Sequence, residues 1–96
     1  MIINYDFLAS GISSIAVCAG SGSGVLNGVR AELFVTGEMS HHDVLDALHS
    51  GTSVILCEHT NTERGYLQRW AEQLKVVFPH TNILVSEFDK DPLCTV

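Results

Sequence analysis

Four short apolar runs, each separated from the next by a turn and a helix-spaced stretch, constrain this chain more than any other feature. Ile15-Ala16-Val17-Cys18 reads as a first strand, followed by a Gly/Ser turn and a short helix over Gly24 to Val29. Glu32 to Val35 is a second strand. Ser40 to Ser50 has helical spacing, with Val44, Leu45, Ala47 and Leu48 on one face and Gly51 as its stop. Ser53 to Cys57 is a third strand. Thr62 to Phe78 then places Leu67, Trp70, Ala71, Leu74 and Val77 along one helical stripe, ended by Pro79. Asn82 to Ser86 completes the set as a fourth strand. Strands alternating with helices predict an α/β fold: a mostly parallel sheet of about four strands, joined by right-handed crossovers, with helices packed on it. There is no internal repeat or low-complexity tract.

Composition narrows the functional classes. At 96 residues the chain is one small domain, and a hydrophobic fraction of 46% is ample for a core. The net charge is −6, and the five basic residues are scattered at Arg30, Arg64, Arg69, Lys75 and Lys90. Direct nucleic-acid binding through phosphates needs such residues clustered, so it is not expected. Cys18, Cys57 and Cys94 are widely spaced with no Cys-x-x-Cys, which argues against a zinc knuckle and for reduced thiols. The apolar runs are strand-sized rather than membrane-spanning, and the first residues lack a secretory or transit pattern. A cytoplasmic location, extending to the nucleus, is the expectation.

Chemistry concentrates at two strand-to-helix turns. In Cys57-Glu58-His59-Thr60-Asn61-Thr62-Glu63-Arg64-Gly65, His59 falls on the turn and Glu63 four residues later in the first helical turn. Both side chains would then face the crevice beyond the strand's carboxyl end, where open α/β sheets bind ligands. A neutral imidazole with a carboxylate is a usual ligand pair for a divalent transition metal. Glu63 equally fits a capping box with Thr60, so the motif alone leaves a structural reading open. In Thr36-Gly37-Glu38-Met39-Ser40-His41-His42-Asp43, Ser40 is the expected N-cap with Asp43 as its partner. Gly20-Ser21-Gly22-Ser23-Gly24 lacks the third glycine of a dinucleotide turn, where Val25 stands, and no Walker lysine follows. It reads as a tight turn passing close to the cleft, which Ser21 and Ser23 would line. Trp70 is expected in the core, and His49 and His80 near helix ends in solvent.

Taken in order, Ala19 to Leu26, Thr36 to Asp43 and Cys57 to Gly65 closely resemble the carboxyl-terminal part of the NIF-three-like family. These are the NGG-one interacting factor three homologues, also labelled GTP cyclohydrolase type-two homologues or DUF thirty-four. Ser86-Glu87-Phe88-Asp89-Lys90-Asp91-Pro92-Leu93 resembles the end of the animal members. The resemblance covers residues 14–96 as one partial α/β domain and leaves 1–13 as a segment outside it. It implies two similar α/β halves facing each other across a dinuclear metal site, assembled as a hexamer. One half supplies an adjacent His pair and an Asp, and the other a His-x-x-x-Glu pair that corresponds to His59 and Glu63. Glu38, His41 and His42 would line the cleft and support the ligands, a carboxylate at Glu38 holding an imidazole by its distal N–H. This chain is expected to hold only one half, hence half of the site.

Two functional readings follow. In the first, zinc, iron or manganese serves a metal-dependent hydrolase acting on a nucleotide-like or phosphorylated compound, with Glu38, His41 or His42 assisting proton transfer. In the second, the chain is a non-catalytic partner in transcription-related protein complexes, to which an acidic surface is suited.

Overall fold

The computed structural model describes residues 11–94 and 96. The segment set apart at residues 1–13 therefore falls, as far as residue 10, outside the described residues. Seven elements follow one another: β1 (Ile15–Ser21), α1 (Ser23–Leu26), β2 (Leu33–Glu38), α2 (His41–His49), β3 (Ser53–Leu56), α3 (Asn61–Arg64) and α4 (Tyr66–Val77). The three strands form one parallel sheet in the order β1-β2-β3. The α/β, parallel-sheet class expected from the sequence is the observed one.

Register explains which residues are buried. Ala16, Phe34 and Val54 stand side by side across the sheet, as do Cys18, Thr36 and Leu56. This face packs against Leu26 of α1 and Ala47 of α2, with Phe34 and Val54 at 5% and 0% exposure. The opposite face carries Ile15 beside Leu33, and Val17 beside Val35 and Ile55. There β1 is open, with Ile15 and Val17 largely exposed.

Helix α2 is set by its ends. The Ser40 hydroxyl accepts from the Asp43 N–H at 3.2 Å and donates to the Asp43 carboxylate at 2.6 Å. At the other end Thr52 N–H reaches the Ala47 carbonyl and Gly51 N–H the Leu48 carbonyl, both near 3 Å. That is a Schellman closure, and Gly51 at φ +88° takes the left-handed position it requires. Val44 and Ala47 are the residues the helix buries.

Four expectations are corrected. β1 and β2 run three residues further than their apolar runs, to Ser21 and Glu38, because the ladder continues through glycine-bearing turns. The short helix stops at Leu26 instead of Val29, where Asn27 turns extended at ψ 124°. Asn82 to Ser86 is not a strand: among the described residues it finds no partner, although Ile83 and Val85 are half-buried and Leu84 is exposed. The last helix is divided at Gly65, and only Ala71 of its stripe is fully buried. Trp70 is 51% exposed and Val77 66%, so the helix does not bring that end of its stripe against the sheet.

Ser40→Ala is expected to lower stability by about 1 kcal/mol, the usual worth of an N-cap hydroxyl, measured by urea unfolding at pH 7. The Ser40 and Ser23 hydroxyls hold the Asp43 carboxyl below its usual value of 3.8. Its contribution is present above that value and lost as pH falls through the folded one, so the difference between wild type and Ser40→Ala should shrink in acid.

Candidate metal centre

The carboxyl end of the sheet is built to let two turns meet. Gly20, at φ +70°, is the point of closest approach: a Cβ there would lie 2.5 Å from Glu63 Oε1 and 3.1 Å from His59 Nε2. Gly37 is equally confined, since a Cβ would meet the Gly20 carbonyl at 2.5 Å and His59 Cα at 2.8 Å. Glycine at these positions keeps open the space that the imidazole and the carboxylate occupy.

His59 is delivered by a strained turn. Glu58 immediately before it takes φ +71°, the only left-handed non-glycine residue among those described. This reverses the chain as it leaves β3. The Thr62 hydroxyl then fastens the turn, donating to the His59 carbonyl at 2.7 Å and accepting from the Gly20 N–H at 2.8 Å.

Three of the sequence-derived site residues come together here. His59 Nδ1 lies 2.8 Å from Glu38 Oε1, and His59 Nε2 lies 3.2 Å from Glu63 Oε1. The side chains are about half exposed, so the site opens to solvent. The capping alternative for Glu63 is not what forms. Thr60 makes no side-chain cap, and its backbone is already helical at φ −70°, ψ −28°. The Glu63 carboxylate is therefore free to face His59.

Among the described residues the side chains of the other candidates form no hydrogen bond to this trio. His41 and His42 lie exposed at the start of α2, ring centroids 5.9 Å apart and edge to face. The Ser23 hydroxyl accepts from the Ser40 N–H at 3.4 Å and so serves the α2 cap. Ser21 is exposed and pairs in register with Glu38. An open groove of about 780 Å³ lies between the 27–32 connection and α2, lined by Arg30, Glu32, Phe34, Asp43 and Asp46 among others; none of the trio lines it. Among the described residues no group of three or more His, Cys, Asp or Glu side chains is gathered closely enough to hold a metal ion. The turn beginning at Gly20 is the one expected to pass close to the cleft, whereas nothing in the sequence marks Thr62 or Gly37 for the site, although a threonine beside a helix start is a familiar local turn former.

Comparison with known proteins settles the family. The model of the Duf34/NIF3 (NGG1p interacting factor 3) family matches residues 3–92. The chain belongs to this family. NIF3-like protein 1 of Mus musculus is 58% identical over 90 residues, covering 93% of this chain and 24% of the mouse protein. NGG1-interacting factor 3 of Saccharomyces cerevisiae is 49% identical over 84 residues, covering 85% of this chain and 29% of the yeast protein. Among solved structures, a Staphylococcus aureus hypothetical protein superposes with a TM-score of 0.69 at 31% identity, over 88% of this chain and 30% of that one. A Bacillus cereus protein related to NIF3 gives 0.70 at 28% identity, over 88% and 25%. The chain thus spans about a quarter to a third of the length of these relatives.

Charge shapes the imidazole. The bond to Glu38, with the nearby charge of Glu63, raises the His59 pKa above the usual 6.5 against a smaller opposing effect of desolvation. Stability from this contact is complete below 6.5 and is lost as pH rises through the folded value. An NMR pH titration should find His59 titrating above an ordinary histidine, and Glu38→Gln should move it down. Glu58→Gly should stabilise the fold by about 1 kcal/mol, the usual cost of a left-handed non-glycine residue, read by urea unfolding.

Proposed function

We propose that His59 and Glu63 form one half of a divalent transition-metal site, completed by donors from outside the described residues. The observation that carries this reading is the trio's geometry: Glu38 takes one imidazole nitrogen of His59, leaving the other directed at Glu63. A carboxylate on the distal nitrogen is how metal-binding imidazoles are commonly oriented. The nitrogen and oxygen donors suit zinc, iron or manganese, and the missing Cβ of Gly20 lets the two side chains face each other. Two protein donors fall short of the three that catalytic zinc ordinarily uses.

In the complete protein the function supported best is metal-dependent hydrolysis of a nucleotide-like or phosphorylated compound. A divalent metal held there supplies Lewis acidity and makes water a better nucleophile at neutral pH. This chain's share is to hold His59 in the tautomer that offers Nε2, through Glu38, and to fix Glu63 opposite it. Glu38, against His59, and His41 or His42, exposed at the start of α2, are the candidates for proton transfer to substrate or product.

A second reading has its own support. The yeast relative is named as an interacting factor, and this chain exposes Trp70, Val77, Phe78 and Phe88 on an acidic molecule. Such a surface suits protein contacts, with copies of itself in a homo-oligomer or with transcription-related proteins, and repels nucleic acid. Among the described residues no helix is long and apolar enough to cross a membrane.

Elemental mass spectrometry on purified protein, with solution mass measured alongside, decides between the readings. Near-stoichiometric zinc, iron or manganese, lost in both His59→Ala and Glu63→Ala, is the expected result. Neither substitution should change stability by more than about 0.5 kcal/mol, since both side chains are substantially exposed. Uptake should weaken as pH falls, because the metal competes with protons for His59. Wild-type metal content in both variants removes the ligand assignment. No metal in a folded wild-type protein leaves the interaction reading.

A further inference from the structure

Helix α3 is a single turn, far too short to hold its own shape. Yet it carries Glu63. Thr62 ties one side of the turn to Gly20 and His59. The other side is held by the next residue along, Arg64. Its Nε donates to Asp89 Oδ2 at 2.9 Å, and its Nη1 to Asn61 Oδ1 at 3.4 Å. Nη2 is buried and has no partner among the described residues. The pair is partly withdrawn from water, with side-chain exposures of 27% for Arg64 and 44% for Asp89. Among the described residues it is also the one hydrogen bond that fastens residues 82–94 to the rest of the molecule.

We propose that the Arg64–Asp89 pair is a positioning clamp that couples docking of the 86–92 segment to the metal affinity of His59 and Glu63. The inference rests on the metal reading above. Its physical basis is adjacency. Rotation of the one-turn helix about its axis swings Arg64 and Glu63 together, so a guanidinium held from outside the helix by Asp89 restricts the direction of the neighbouring carboxylate. If the segment undocks, a partly buried guanidinium loses its charged partner and turns toward water, which loosens the turn. Coupling of this kind is reciprocal: whatever factor docking adds to metal affinity, metal adds to docking. An ordinary surface ion pair would contribute little and would not respond to metal.

The test uses zinc alone as the probe on wild type, Asp89→Ala, Arg64→Ala and the double variant. Zinc affinity is read by competition with a chromophoric chelator, and segment docking by amide hydrogen exchange of residues 86–91. Each single variant should bind zinc about 3- to 10-fold more weakly, at the lower end of typical coupling because the pair is partly exposed. The double variant should be no weaker than the singles, and Asp89→Glu should recover most of the loss. Zinc should slow exchange in 86–91 by a similar factor in wild type and have no such effect in Arg64→Ala. Wild-type zinc affinity in both singles overturns the clamp, as does zinc-independent exchange in wild type. If wild type takes up no zinc, the metal reading fails. Exchange of Asn61–Tyr66 amides without metal then decides the clamp: faster exchange in Asp89→Ala supports it, and unchanged exchange overturns it. Protection of the β2 amides verifies that each variant is folded, with Asp89→Asn and Arg64→Lys as milder replacements if one is not.

Discussion

The Thr62 hydroxyl is the fastening on which the candidate site depends. It donates to the His59 carbonyl and accepts from the Gly20 N–H, so one oxygen joins the turn after β3, the turn at the end of β1 and the start of α3. The His59 carbonyl accepts the Thr62 backbone N–H as well, so both ends of Thr62 hold it, while the Gly20 N–H gains a side-chain acceptor. The bare Cα of Gly20 and of Gly37 are what make the approach short enough. A side chain at either position would displace His59 or Glu63, so those residues are positioned by what is missing beside them as much as by their own bonds.

Local signals were readable where one segment determines its own conformation. The α2 boundaries followed from Ser40, Asp43 and Gly51, because capping and Schellman closure involve residues within a few positions of one another. Glu38 was legible as a support for a histidine, and the structure brings it to His59 over 21 residues of sequence. Thr62 was not legible, since its two partners lie three and forty-two residues away and only the second explains the first. The fate of Asn82 to Ser86 was not legible either. Its alternation of half-buried Ile83 and Val85 with exposed Leu84 is a strand's pattern, but a strand also needs a neighbour, and pattern carries no information about the neighbour. The Thr60-to-Glu63 spacing left two readings open for a related reason: a capping box needs an extended N-cap, and only the structure shows that Thr60 is helical.

The polar corner of His59 and Glu63 and an exposed apolar strand face lie side by side. Parallel sheets are ordinarily buried on both faces. Here α1 and α2 cover one face, while on the other Ile15 and Val17 of the edge strand remain 59% and 72% exposed. Val17 is three residues from Gly20 along the same strand, about 10 Å at the rise of a β-strand. Gly20 in turn touches the space between His59 and Glu63. Any chain segment that covers Val17 therefore stands close to His59 and Glu63. Burying Val17 alone stabilises by about 1.5–3 kcal/mol before the cost of ordering the cover. A cover recruited by that apolar edge is held to the sheet by burial alone, and any side chain it carries toward His59 and Glu63 arrives already positioned.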